Sequence, residues 1–119
     1  MNSILIVEDD NSLSTALQTS LEKHGYKVRV APKGNDALEQ IKQKKPDLIL
    51  LDLLLPDITG LELLEHFQDD QVVIIMSNID APMINTLENN NVIDYVVKSD
   101  TTLKEITEKV NTYFSSKQA

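Results

Sequence analysis

"LILLDLLLPDITG", residues 48–60, sets one aspartate, Asp52, inside the otherwise apolar run Leu48–Leu55, with Pro46 on one side and Pro56 on the other. A short strand of Leu and Ile without polar alternation reads as buried on both faces. A lone ionised carboxylate in that setting is costly, so Asp52 must lie beyond the buried part, pair with another group, or do chemistry.

Similar apolar runs recur on either side: "ILIV" from residue 4, "YKVRVA" from 26, "VVIIM" from 72 and "VIDYVV" from 92. They read as short strands, and stretches with helical spacing lie between them. Leu13, Leu17 and Leu21 form a first stripe, with Gly25 placed to end it. Ala37, Leu38 and Ile41 form a second, stopped before Pro46. Leu63, Leu64 and Phe67 form a third, opened by Thr59 and Glu62 at capping-box spacing. Met83, Ile84 and Leu87 follow Pro82 and run into "ENNN", which makes this the weakest helical sequence of the set. Leu103, Ile106, Val110 and Phe114 form the last, opened by a second capping box, Thr102 to Glu105. Five strands alternating with five helices predict parallel βα units and a doubly wound α/β fold, (βα)5, as a single domain over residues 1–119.

Composition narrows function by exclusion. Acidic residues outnumber basic ones 19 to 11, for a net charge of −8, and Arg29 is the only arginine. That argues against a nucleic-acid partner, which would need a basic patch. The cluster "KQKK", Lys42 to Lys45, reads as a solvated helix end favoured by the helix dipole. Cysteine is absent, which removes disulfides, thiolate metal sites and cysteine nucleophiles. The start "MNSILIVEDD" does not read as a signal peptide, and no apolar run approaches the ~20 residues of a membrane-spanning helix. A cytoplasmic location without membrane insertion is expected.

Ligands of an open parallel sheet bind beyond the carboxyl ends of its strands. Four of the five strands exit into such residues, Glu8, Asp9 and Asp10, then Asp52, then Ser77 and Asn78, then Lys98, whereas the second, ending "APKG", has no comparable group at once. Taken singly most have an ordinary explanation: an acidic pair favours a helix start, a serine caps a turn, and a lysine carries surface charge; Asp52 resists it best, because a helix cap does not explain an acid followed directly by "LLLP". Together they aim carboxylates, a hydroxyl and an ammonium at one rim. Two carboxylates ~4 Å apart repel by about 4 kcal/mol at an effective dielectric near 20, so such a cluster must take up protons or a cation. Oxygen ligands with room for water suit Mg2+, and metal, carboxylate and ammonium together suit a phosphoryl group.

In order and spacing, "ILIVEDD", "LILLDLLLPDITG", "VVIIMSN" and "DYVVK" resemble the receiver domain of two-component response regulators, over the whole chain and as a stand-alone, single-domain type. The resemblance implies a flavodoxin-like sheet of strand order 2-1-3-4-5. It implies that Asp52 accepts a phosphoryl group from a sensor histidine kinase or phosphotransfer protein. Glu8, Asp9, Asp52 and the backbone carbonyl of Leu54 would hold Mg2+. Lys98 would pair with the phosphoryl oxygens, Ser77 would move to bond them, and Tyr95 would be the aromatic switch. On this reading the chain is not an enzyme in the ordinary sense but catalyses its own phosphorylation and dephosphorylation. It signals by altering a surface of the fourth helix, fifth strand and fifth helix that docks a downstream protein target.

Some positions depart from the family pattern. Ser99 follows Lys98 where proline is usual, often after a cis peptide; a cis bond before another residue costs ~3 kcal/mol, so the turn after Lys98 is where geometry is expected to differ. "NNNVID" replaces a frequent glycine-alanine turn before Tyr95. Leu54 and Ile79 occupy positions that influence dephosphorylation, and neither can position a hydrolytic water, so a long-lived phosphorylated state is expected. Asp10 is read as serving the first helix, and His24 and His66 as structural residues near helix C-termini. The competing readings are a phosphorylation-independent interaction module of receiver shape and a metal-dependent phosphohydrolase; Leu54 stands where the latter would want a second acid.

Overall fold

The computed structural model describes residues 2–78 and 92–117. In chain order these form β1 (Ser3–Val7), α1 (Asn11–Lys23), β2 (Lys27–Ala31), α2 (Gly34–Gln43), β3 (Leu48–Asp52), α3 (Gly60–Glu65), β4 (Val73–Ser77) and β5 (Val92–Val97). A 3-10 turn (Lys98–Asp100) and α4 (Leu103–Lys117) complete them. The expected stripe at Met83, Ile84 and Leu87 lies outside the described residues, as do Ile79 and the asparagines of "NNN".

The five strands form one parallel sheet in the order β2-β1-β3-β4-β5, as expected. Period-two alternation divides the core between its faces. Ile4 and Ile6 of β1, Leu48 and Leu50 of β3, and Ile74 and Met76 of β4 pack with Leu17 and Leu21 of α1 and Ile106, Val110 and Phe114 of α4. The residues between them, Leu5, Val7, Ile49, Leu51, Val73 and Ile75, pack with Ala37 of α2 and Leu63 and Leu64 of α3. Each wholly buried Leu or Ile contributes roughly 1.5–3 kcal/mol of transfer free energy, which explains why the strands tolerate so little polarity. Asp52 falls where the next apolar residue of the α1–α4 face would stand.

The helix ends follow the local signals. Asp10 Oδ1 accepts the Ser12 and Leu13 amides at 2.9 and 3.2 Å, so it serves α1 as expected. Beyond the α1 C-cap at His24, Gly25 takes φ +89°, a left-handed conformation that favours glycine. Thr59 caps α3 through the Glu62 amide, and His66 ends it one residue short of Phe67, the last residue of the expected stripe. The Thr102–Glu105 box is closed in both directions, at 3.1 Å each way.

Among the described helices α2 is the exception, because both of its ends are held by residues outside its own turns. Lys33 stands at its N-cap without a side-chain hydrogen bond. Instead Asp57, from the segment after β3, accepts the Gly34 and Asn35 amides at 2.9 Å each. At the other end Arg29 of β2 donates to the carbonyls of Gln40 and Lys44 at 3.1 and 2.6 Å. The sole arginine thus caps the C-terminal end of α2. Lys45 pairs with Asp70 at 2.5 Å, and the "KQKK" cluster is a helix end.

Candidate functional site

A chain that passes from β1 out to β2 and back to β3 reverses its direction of travel between β1 and β3, and the crevice beyond their carboxyl ends is the natural ligand position. Glu8 leaves β1 on one side of this crevice and Asp52 ends β3 on the other. Both are buried, whereas Asp9 is exposed at the rim. Carboxylate oxygens of Glu8, Asp9 and Asp52 lie within 4.8 Å of one another.

Lys98 enters from the far side of β4. Its ammonium lies 2.9 Å from Asp52 Oδ2 and also pairs with Glu8 Oε1. The other Asp52 oxygen, Oδ1, accepts the Leu54 amide at 3.1 Å. The Asp52 carboxylate thus meets two different donors, the ammonium that follows β5 and a backbone N–H from its own turn. That turn is kept tight by Gly60, whose amide donates to the Leu53 carbonyl at 2.8 Å. A Cβ at Gly60 would stand 2.5 Å from Leu53 Cα and 2.8 Å from the Asp52 carbonyl oxygen, so only glycine lets α3 start this close to the β3 exit.

The electrostatics follow from crowding. Burial, and after it a hydrogen bond with Asp52, raise the Glu8 carboxyl to about 7 against the pull of Lys98. Burial alone would lower the Lys98 ammonium, but Glu8 and Asp52 outweigh it and hold it above the ordinary lysine value. Three carboxylates facing one ammonium leave an excess of negative charge, and the donors are all oxygen. Such a set fits a hard divalent cation.

Ser77 and Tyr95 belong to the other face. Ser77 is the last residue of β4, wholly buried and one position beyond Met76, the register partner of Asp52. Tyr95 of β5 packs against the core layer shared with α2 and α3. Its strand pairs with β4 through Ile75↔Tyr95 and Ser77↔Val97. The Leu54 side chain is exposed.

The turn after Lys98 resolves the question raised by Ser99. No peptide bond among the described residues is cis, so Lys98–Ser99 is trans, and the chain enters a short 3-10 turn. Ser99 N–H donates to Asn78 Oδ1 at 2.8 Å. The sequence placed Asn78 at the rim but gave it no role, and it offered no local signal for the Asp57 contact with α2.

The fold and its rim define a flavodoxin-like α/β protein with an acidic, lysine-capped cluster at the sheet's switch point. The chain belongs to the response regulator receiver domain family, whose model matches residues 4–111. Transcriptional regulatory protein AfsQ1 of Streptomyces coelicolor is 40% identical over 102 residues, covering 82% of this chain and 45% of that protein. The alkaline phosphatase synthesis regulator PhoP of Bacillus subtilis is 40% identical over 70 residues, covering 59% of this chain and 29% of PhoP. The chain thus spans less than half the length of either relative. Among solved structures, the response regulator TrrA of Thermotoga maritima in complex with Mg(2+)-BeF is 30% identical. It superposes with a TM-score of 0.81 over 94% of this chain and 98% of TrrA. A CheY-like receiver domain protein from Methanospirillum hungatei is 25% identical, with a TM-score of 0.88 over 99% and 97% of the two chains.

Proposed function

We propose that this chain, as one receiver domain, accepts a phosphoryl group on Asp52 from the phosphohistidine of a sensor histidine kinase or phosphotransfer protein. The convergence of Glu8, Asp9 and Asp52 opposite Lys98 is the observation that carries this reading. An Asp52 oxygen attacks phosphorus, the P–N bond to the donor imidazole breaks as the P–O bond forms, and the imidazole keeps the electron pair and takes up a proton. The product is an aspartyl phosphate. Lys98, already seated on Asp52, would pair with the incoming phosphoryl oxygens, and positioning with charge stabilisation is most of what phosphoryl transfer requires.

Glu8, Asp9, Asp52 and the Leu54 carbonyl would hold Mg2+, which would offset charge on the transferring group. The protein's own catalytic contribution is to its phosphorylation and dephosphorylation, with no turnover of a separate substrate. Ser77 and Tyr95, on adjacent strands and the same side of the sheet, would carry the change outward, shifting a population between two arrangements of the surface that docks a downstream protein. With Leu54 unable to position a hydrolytic water, the phosphorylated state is long-lived. The site of action is the cytoplasm; among the described residues no helix is long and apolar enough to cross a membrane.

Incubation with Mg2+ and acetyl phosphate tests the reading. The expected product is an acid-stable, base-labile phosphoprotein that is lost on chelation of Mg2+ and in Asp52→Asn. Labelling that persists in Asp52→Asn, or none at all, would count against it.

A further inference from the structure

Ser77↔Val97 is the last paired rung between β4 and β5, yet the two segments stay joined beyond it. Ser99 N–H donates to Asn78 Oδ1 at 2.8 Å, so a side-chain carbonyl does there what a backbone carbonyl does within the ladder. The bond has a local cause. Lys98–Asp100 is a 3-10 turn with no side-chain cap at its N-terminus, and its first amides have no partner within the turn. Asn78, just past the end of β4, supplies one. A proline at 99 would have no N–H to give.

The placement of the two residues gives the bond its leverage. Ser99 follows Lys98, whose ammonium reaches both Glu8 and Asp52, and Asn78 follows Ser77 at the end of β4. We propose that Asn78 is a positioning residue for Lys98: by accepting the Ser99 amide it fixes the turn from which the ammonium reaches the acid cluster, and it ties that turn to the segment bearing Ser77. The kinetic consequence rests on the phosphoacceptor reading above; the structural one does not. Losing one exposed hydrogen bond of ordinary strength converts to a rate change of about three- to tenfold.

Two readouts on the full chain keep the two ideas apart. The first is the Nζ resonance of Lys98 in the metal-free protein, assigned by its loss in Lys98→Arg. It is expected to shift and broaden in Asn78→Ala and to return in Asn78→Asp, which keeps an acceptor oxygen. The second is the rate of Mg2+-dependent phosphorylation by acetyl phosphate, expected to fall about three- to tenfold in Asn78→Ala at a temperature well below its melting point, where the variant is fully folded. An Asn78→Ala protein with the wild-type Lys98 resonance and the wild-type rate would overturn the positioning role while leaving the phosphoacceptor reading intact. A wild-type protein that takes no label, but whose Lys98 resonance responds to Asn78→Ala, would overturn the phosphoacceptor reading and uphold the positioning role.

Discussion

Lys98, leaving β5, holds its ammonium 2.9 Å from Asp52 Oδ2 at the end of β3, reaching past the whole of β4 to do so. It pairs with Glu8 in the same position, so one cation ties β1, β3 and β5 at their carboxyl ends. Removing it leaves buried acids facing each other. Lys98→Met should cost about 3 kcal/mol in the metal-free protein at pH 8, the scale for breaking a buried pair. The melting temperature should fall by roughly 10 °C, and millimolar Mg2+ should restore most of the loss. Thermal unfolding with and without Mg2+ measures both effects; a variant as stable as wild type without metal would show that the ammonium does not hold the cluster together.

Glu8 gives the stability a pH dependence of definite sign. Its carboxyl titrates near 7 in the folded protein, against an ordinary value of 4.5. Between those values the folded state binds a proton that the unfolded state has lost, so stability falls as pH rises through that window. The fall is on the order of 3 kcal/mol. Glu8→Gln should flatten this part of the profile. Because a divalent ion competes with that proton, Mg2+ affinity should rise as pH passes 7. Urea denaturation from pH 5 to pH 8, with and without Mg2+, gives the slopes; identical slopes for wild type and Glu8→Gln would assign the proton elsewhere.

Gly60 controls the turn that presents Asp52. A methyl group there would meet the Leu53 backbone at 2.5 Å and the Asp52 carbonyl at 2.8 Å, and neither can yield as a flexible side chain could. Gly60→Ala should destabilise by about 2 kcal/mol, as overpacking does, and should also slow phosphorylation because the β3 exit must move. Chemical denaturation and labelling by acetyl phosphate read the two effects. Loss of stability with an unchanged labelling rate would separate the turn from the site.

Asp57 joins the same segment to α2. Asp57→Ala leaves the Gly34 and Asn35 amides without their acceptor and should cost about 1 kcal/mol, as loss of a helix cap does. Faster hydrogen exchange should be confined to the first turn of α2. The amides Asn35 and Gly34, followed by NMR, report this directly; unchanged exchange would mean that water replaces the carboxylate without cost. The folded-state carboxyl of Asp57 is held low by these backbone donors, with the Asn35 amide foremost. Its contribution is therefore present above the ordinary aspartate value and is lost as pH falls through the lowered one.

Sequence periodicity sufficed for the strands because a sheet covered on both faces demands unbroken apolar runs, and polar residues therefore concentrate where strands end. Glu8, Asp52, Ser77 and Lys98 were legible for that reason. Local capping motifs were equally plain: Asp10, Thr59, Thr102 and Gly25 act within a few residues of their partners. What remained hidden was contact between segments far apart in the chain. Nothing near Lys33 announces that Asp57 caps its helix, and nothing near Arg29 announces that it closes the other end. The same holds for Asn78 and Ser99, which are 21 residues apart and meet only once β4 and β5 are paired. Phe67 shows the limit of a helical stripe read alone, since a residue can complete the core from the turn beyond its helix.

The most direct measurement is to find which atom takes the phosphoryl group. Borohydride reduces an aspartyl phosphate to homoserine, so treating the labelled protein and sequencing its peptides by mass spectrometry marks the acceptor chemically. Homoserine at position 52, formed only when Mg2+ was present during labelling, is the expected result. Homoserine at Asp9 or Asp57, or a labelled protein that yields none, would contradict the role given to Asp52.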